Sequence, residues 1–548
     1  GMTMQGMEQG TGAGAAAVDF IIVGAGSAGA VLANRLTESG RHKVLLLEAG
    51  AASHPYSRMP ASFGLLISDP AANWCYKSTP EEATANREIS VPRGKLLGGS
   101  SSINGLVYVR GQPLDYDTWA QRGNRGWSFD DVLPLFKRME HYEHGVDDMR
   151  AQGGPLHVCE SYDQSPLYEG IFRAGESLGI KRNPDYNGAD QEGFVRTQTT
   201  IKNGFRQSTA VAYLAPARKR PNLQVVTGAL ATRLILDGKR CVGVAYRIAN
   251  SEEVEVRAGR EVIVSCGGVA APQILELSGI GRPDVLKPLG IEVRHELPAV
   301  GENLRDHINA RMVWRLKQRG ISYNERMSGL IPRGWQFLRY LATRRGFMAM
   351  PSAPILGFLK TRQELETPDI QVHVMPYVIR DAARRLLHDW PGMTMTCYQL
   401  RPESLGSIHL RSPDAREHPD IRFNFLSDAL DRQTMIDGLR LIRKVAEAAP
   451  LDPLRGEEVE PGPAATSDED LLNHVRNTAN TAFHPVGTCR MGPGEDCVVD
   501  SRLRVHGIAG LRVADASIMP TMVSGNTNAA AIMIGEKASD LIREDHPA

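Results

Sequence analysis

The chain has 548 residues, enough for two to four domains or for two large ones whose segments interleave, and its 63 Lys and Arg balance 63 Asp and Glu, so no basic surplus supports nucleic-acid binding. Its 42% hydrophobic and 23% charged residues exclude disorder, while 54 glycines and 33 prolines predict many turns. The seven cysteines contain no C-x-x-C pair, which excludes a zinc ribbon or dithiol motif, predicts no metal site and suits a reducing compartment.

Gly1 before Met2 resembles a tag remnant, and the segment up to Ala17 has neither a basic n-region nor an apolar core of signal-peptide length. No apolar run reaches 18 residues. A cytoplasmic address is expected, with peripheral association at the inner face of a membrane left open.

The first informative stretch is Phe20 to Val23, an apolar run that meets Gly24, Gly26 and Gly29 and then an Ala/Leu-rich helical pattern to Leu36. This reads as strand, glycine turn and helix. A second strand, Val44 to Leu47, ends at Glu48, nineteen residues beyond Gly29, the offset at which an acid meets an adenosine ribose. The glycines permit a tight turn, the helix start offers N–H groups to a pyrophosphate, and Glu48 can accept bonds from ribose hydroxyls. NAD and FAD enzymes both carry this fingerprint, so later segments must separate them.

Pro92 to Gly111 (PRGKLLGGSSSINGLVYVRG) presents Gly98, Gly99 and Gly105 for backbone approach to a flat ring, with Ser100, Ser101 and Asn104 as hydrogen-bonding groups. Short strands are predicted at Leu223 to Val226, Ala231 to Leu236 and Val242 to Arg247, the last two joined through the hairpin signal Asp237-Gly238. Cys266 to Gly281 (CGGVAAPQILELSGIG) follows the apolar strand Val262 to Val264 and predicts a second glycine turn and helix start, with Gly267 and Gly268 in the turn. From about 310 to 470, helical patterns at Trp335 to Thr343 and Arg432 to Ala449 alternate with strands at Ile370 to Val374 and Ser407 to Leu410. Phe483 to Gly492 (FHPVGTCRMG) is a His-Pro turn, and Leu511 to Lys537 is a Gly/Asn-rich loop running into a small-residue helix.

Together these segments resemble the glucose-methanol-choline family of FAD-dependent alcohol oxidoreductases, from Asp19 to Arg543. The bacterial choline-dehydrogenase-like members are similar through GKLLGGSSSINGLVYVRG, VGENLRDH (Val300 to His307), HPVGTCRMG and DASIMP. The resemblance implies an α/β fold, with a Rossmann-like FAD-binding domain of discontinuous segments (18–110, 220–305 and 475–545). A substrate domain of α+β type (111–219 and 306–474) would carry an antiparallel sheet and covering helices. It implies FAD contacts from Gly24, Gly26, Ser27, Ala28, Gly29, Glu48, Ala49, Arg93 and the loop Gly98, Gly99, Ser100, Ser101, Asn104, Gly105, Leu106 and Val107. Ala231, Gly267, Asp515, Ala516, Asn526, Thr527 and Asn528 complete that set. The FAD is expected to be noncovalent, because the position at which some members attach it to a histidine is Ile103 here.

By the same resemblance, His484 accepts the hydroxyl proton of an alcohol, Asn528, 44 positions later, binds the substrate oxygen, and flavin N5 takes the hydride. His373 matches a substrate-facing position in choline-oxidising members, although a packed core histidine would fit its alternating strand as well. His307 reads as support for the flavin-proximal turn and Asn526 as a turn or cap residue. Choline-oxidising members carry a Glu two residues after the Asp-His pair, whereas Asp306 and His307 are followed by Ile308 and Asn309. A neutral primary alcohol is therefore the expected substrate, with choline dehydrogenase as the alternative. The electron acceptor is a quinone, a dye-like carrier or O2, with a dehydrogenase favoured over an oxidase. A flavin-dependent lyase or decarboxylase and a noncatalytic flavin-binding protein are the alternatives of another class. The oligomeric state is not readable.

Overall fold

Val18–Val23, Val44–Leu47 and Leu223–Val226 are runs of Val, Ile and Leu flanked by elements on both faces, the composition of parallel strands. In the computed structural model, which describes residues 18–381 and 386–547, they lie side by side and parallel in the order 223–226, 44–47, 18–23. The reading of residues 1–17 falls outside the described part. The long strand Val254–Val264 continues the sheet: its second half pairs in parallel with Val18–Val23 on one side and with Leu511–Val513 on the other. Its first half pairs antiparallel with Arg240–Ile248, which pairs in turn with Ala229–Asp237. The predicted hairpin is present, with Asp237 opposite Arg240.

All five parallel strands point their C-terminal ends at one place. Gly24, Glu48, Ala229, Ser265 and Asp515 follow those ends and border a single cavity, the position at which open parallel sheets bind ligands.

A second, antiparallel sheet runs in the order Arg455–Glu460, Ile308–Leu316, Gly392–Gln399, Ile370–Met375, Ile355–Leu359, Gly193–Arg196. Strand alternation divides its faces. Val372, Val374, Met395, Cys397, Ala310 and Met312 share a buried cluster with Met435, Leu439 and Ile442 of the helix Ala429–Glu447. That helix starts where the Asp428 carboxylate accepts the Leu430 N–H at 2.8 Å, and its apolar residues recur at helical spacing. Asn309, His373, Met375, Thr396 and Tyr398 point the other way, into the cavity.

The two hydrophobic cores depart from the domain boundaries read from the sequence in two places. The helices Pro113–Gln121 and Phe129–Met139, assigned to the substrate domain by the break at 111, bury Trp119, Val132 and Phe136 in the first core. Conversely, Tyr76, Ile89 and Val91, from the segment assigned to the cofactor domain, pack in the second. The amphipathic face of Phe129–Met139 is visible in sequence, but the core it joins is decided by the C-terminal helix Asn528–Asp545, almost 400 residues away.

Candidate active site

The cavity, about 440 Å³, lies between the C-terminal ends of the parallel strands and the inner face of the antiparallel sheet. At one end Gly24 has φ +100°, and a Cβ there would come within 2.6 Å of the Ser265 carbonyl oxygen; one on Gly29 would lie 2.0 Å from the Gly24 oxygen. Both glycines close the turn against protein. Gly26 and Gly267 behave differently: a Cβ on Gly26 would meet only the Ser265 oxygen at 3.8 Å, and one on Gly267 nothing within 4 Å, so both open onto the cavity. The helix Ser27–Thr37 begins here with no acid in its first turn and no side-chain cap, leaving its N-terminal N–H groups for an anion.

Glu48 is buried, and its two carboxylate oxygens accept the N–H groups of Ala25 at 3.0 Å and Gly50 at 2.8 Å. Burial raises its pKa to about 7 against the pull of those two bonds. Each oxygen retains lone-pair capacity for a ribose hydroxyl. Asp515 plays a matching part at the second glycine turn, accepting the N–H groups of Gly267 at 2.9 Å and Ser517 at 2.8 Å. A phosphate-accepting helix start, open glycines, a buried ribose-side acid and a broad apolar wall form a donor set that fits FAD. Ile103, buried and apolar, lines this wall without a nucleophile, consistent with noncovalent attachment.

Of the predicted cofactor residues, Gly24, Gly26, Ser27, Ala28, Glu48, Ala49, Arg93, Gly99, Ser100, Asn104, Gly105, Leu106 and Val107 line the cavity. So do Ala231, Gly267, Asp515, Ala516, Asn526, Thr527 and Asn528. Gly29, Gly98 and Ser101 do not, and their role is to shape the turns. The Ser101 hydroxyl is spent within the loop, donating to the Gly98 oxygen at 2.6 Å and accepting the Thr209 N–H at 3.0 Å. The Asn104 side-chain oxygen is also engaged, by the Leu106 N–H at 3.1 Å and Arg206 at 3.0 Å.

At the other end, His484 is buried behind Phe483, whose φ of +71° is a left-handed conformation rare for an aromatic residue. Arg93 holds that turn by donating to the Phe483 oxygen at 2.6 Å. The Asp306 carboxylate accepts the backbone N–H of both His484 (3.0 Å) and His307 (2.7 Å), together with the Thr481 hydroxyl. A Cβ on Gly268 would lie 2.1 Å from the Pro485 oxygen, so the glycine lets the second glycine turn touch the His-Pro turn.

The hydrogen-bond network assigns the histidine protons. His307 Nε2 lies 2.8 Å from the Leu400 carbonyl oxygen, which can only accept, so that nitrogen carries the proton. Burial pushes the His307 pKa down to about 3, so the ring is neutral and its Nδ1 is an acceptor. His484 Nδ1, 2.9 Å away, must therefore donate. The lone pair of His484 is left on Nε2, 3.4 Å from the Asn526 side-chain nitrogen. Burial, then His307, Arg93 and His373, holds the His484 pKa well below its ordinary value. The result is a neutral imidazole whose base nitrogen stands beside an amide donor.

Asn526 is oriented by Gln371, whose side-chain N–H donates to the Asn526 oxygen at 3.0 Å and to His373 Nε2 at 3.1 Å, while its own oxygen accepts the Tyr398 hydroxyl at 2.6 Å. Asn528, expected to bind the substrate oxygen, is placed elsewhere on the cavity wall: its side-chain oxygen accepts the Ser27 hydroxyl at 2.8 Å at the start of the first helix. Residue 526 sits in the loop before the C-terminal helix and reaches His484; residue 528 is the first residue of that helix and reaches the glycine turn. His307 likewise proves to be more than a turn support, since it sets the His484 tautomer. Gln371, Thr396 and Tyr398 went unread in the sequence, although the alternation that exposes His373 in its strand also exposes Gln371.

The family pattern of GMC oxidoreductases matches residues 18–309 and, in a second block, 402–535. The oxygen-dependent choline dehydrogenase of Pseudomonas putida is 42% identical over 539 residues, covering 96% of this chain and 94% of the relative. Among solved structures, pyridoxine 4-oxidase from Mesorbium loti superposes with a TM-score of 0.87 at 28% identity, over 96% of this chain and 99% of the other. An FAD-dependent oxidoreductase from Chaetomium thermophilum gives 0.89 at 26% identity, with 96% and 99% covered. Two glycine turns, a buried histidine beside an asparagine and these similarities along nearly the whole chain lead to one conclusion: the protein belongs to the GMC oxidoreductase family.

Proposed function

We propose that the protein oxidises a neutral primary alcohol to its aldehyde, with noncovalent FAD in the cavity and His484 Nε2 accepting the hydroxyl proton. FAD bound there supplies the hydride acceptor. The observation that carries this reading is the lone pair on His484 Nε2, fixed by the chain Leu400–His307–His484 and flanked by Asn526. The Asn526 N–H supports alkoxide character on the substrate oxygen as the proton leaves, and Gln371 keeps that amide oriented. The FAD-dependent enzyme of similar fold and the family itself support the cofactor assignment.

The substrate side favours a second polar group. His373 and Thr396 are direct cross-strand neighbours, both buried and both lining the cavity, and among the described residues His373 Nδ1 and Thr396 Oγ1 have no hydrogen-bond partner. With its Nε2 accepting from Gln371 and its pKa lowered to about 4 by burial, His373 carries its proton on Nδ1 and offers it to the cavity. A buried donor and hydroxyl suit a hydroxyl or carbonyl oxygen on the substrate. Choline is the second reading, favoured by the 42% identical relative and by Phe63, Tyr377 and Phe483 in the wall, whose rings could face a cation. Anaerobic mixing with choline and with neutral aliphatic and aromatic alcohols separates the two. Bleaching of the flavin by choline alone would overturn the neutral-alcohol reading, and failure of every alcohol would overturn both. Reoxidation by O2 or by a quinone dye then identifies the acceptor class, for which we favour a dehydrogenase.

A further inference from the structure

The helix Leu330–Thr343 has the opposite burial pattern from every other long helix. Leu330 and Ile331 are 85% and 87% exposed, Trp335 is 65% exposed, and Phe337, Leu338 and Leu341 also face outward, while among its described residues only Gln336 and Tyr340 are buried. These six large apolar side chains fall on adjacent rows of one face. The helix is anchored from beneath, where the Tyr340 hydroxyl donates to the Gly204 oxygen at 2.8 Å. Its own stretch is strongly basic: from Arg326 to Arg345 there are five arginines and no acid, in a chain whose net charge is zero, with the single carboxylate of Glu325 at the edge of the groove beside Trp335. Arg333 donates to the Met327 oxygen at 3.1 Å, and Arg344 and Arg345 lie over the rings of Phe205 and Tyr162 at 4.5 and 3.7 Å. None of the five is in an ion pair among the described residues.

We propose that this helix docks the protein on an anionic phospholipid surface, its apolar face in the headgroup boundary and its arginines on the lipid phosphates. Trp, Leu, Ile and Phe on one face with Arg alongside is the composition of interfacial helices. With 14 residues the helix is about 21 Å long, too short to cross a hydrocarbon core of about 30 Å, so it lies on the surface. A second copy of the chain is disfavoured as the occupant, because a two-fold contact through this face would set the same arginines against each other. An anionic bilayer complements them.

The position of the helix gives the docking a purpose. The chain leaves it through Phe347–Ala349 and reaches Ser352 and Ala353, which line the cavity; Ser352 donates its N–H to the Gly105 oxygen at 2.9 Å. The segment Pro60–Ser62, which packs against that turn, runs on into Phe63 and Ile67 of the cavity wall. A reactant dissolved in the bilayer would meet the cavity rim directly.

The test is co-flotation of the full-length holoprotein with vesicles of phosphatidylcholine, with and without phosphatidylglycerol, while Trp335 fluorescence is followed. The assay reads binding alone, so its outcome is independent of the proposed reaction. Binding to the anionic vesicles, weakened by salt and accompanied by a blue shift, is expected. The variant Ile331→Ser/Trp335→Ser/Leu338→Ser should lose affinity by about 10-fold or more, while keeping its flavin content and its reduction rate in buffer. A second variant, Arg333→Gln/Arg339→Gln, should lose the preference for anionic lipid and retain the fold. Absence of binding to either vesicle, equal binding by the triple variant, or a dimer that the triple variant abolishes without any vesicle binding would overturn the proposal.

Discussion

The two ends of the cavity are built by opposite means. At the nucleotide end the backbone forms the surface: Gly24 and Gly29 pack at distances no side chain tolerates, and the acids Glu48 and Asp515 are held by backbone N–H groups. At the end proposed to be catalytic, side chains from five stretches of chain meet, namely Asp306 and His307, Gln371 and His373, Thr396 and Tyr398, His484, and Asn526. There, His373 Nδ1, Thr396 Oγ1 and Asn309 Oδ1 have no hydrogen-bond partner among the described residues. The nucleotide end is shaped by backbone sterics and keeps backbone N–H groups and Glu48 lone pairs for a cofactor, whereas the other end keeps side-chain donors and lone pairs that can meet a substrate.

Substitutions should therefore fail in different ways at the two ends. The largest effect is expected from His484→Ala, which removes the proposed proton acceptor and should slow anaerobic flavin reduction by about 10²–10⁴-fold with normal flavin content. Gly29→Val should do the reverse: its Cβ would overlap the Gly24 oxygen, so flavin absorbance per protein should fall sharply, and a fully loaded variant would break the comparison.

The asparagine pair sharpens it further. Asn526→Ala should slow flavin reduction by about 10²-fold, because in the proposed reaction the lost amide would face the substrate oxygen. Asn528→Ala should leave that rate nearly intact and weaken FAD retention by about 10-fold or less, as expected for loss of one hydrogen bond near the first helix start. The reverse assignment of the two phenotypes would return the catalytic role to Asn528. Thr396→Val should raise KM by about 10-fold with little change in kcat if the substrate carries a second polar group, and should have no effect on an alcohol that lacks one.

The smallest expected effect is with pH. His484 is held below its ordinary 6.5, chiefly by burial, so it is unprotonated at that pH and the reduction rate should stay level as pH falls through 6.5. A midpoint at or above 6.5 would contradict that electrostatic account. Stability has the corresponding sign. The unfolded chain takes up protons on His373 near 6.5 and the folded chain only near 4, so folding stability is retained above 6.5 and declines as pH falls toward 4.

The nucleotide end was largely legible in the sequence, because strand, glycines, helix and Glu48 occupy about 30 consecutive residues and each interaction is local. The catalytic end was legible only where a single residue stands out, as His484 does before Pro485. Thr396 becomes a neighbour of His373 through strand register, which residue types do not encode. Asn526 and Asn528 share one motif, and the choice between them depends on where the helix begins: the residue before it turns back to His484, and the first residue within it faces Ser27. The helices between 113 and 139 show the same limit, since an apolar face is visible in the sequence while its partner is not.

The central claim, that His484 takes a proton from an alcohol, is tested most directly by stopped-flow measurement of anaerobic flavin reduction. Wild type and His484→Ala would be compared at equal flavin content with a primary alcohol that bleaches the wild type. The account predicts bleaching slowed by about 10²–10⁴-fold in the variant. Equal rates in the two proteins would contradict it.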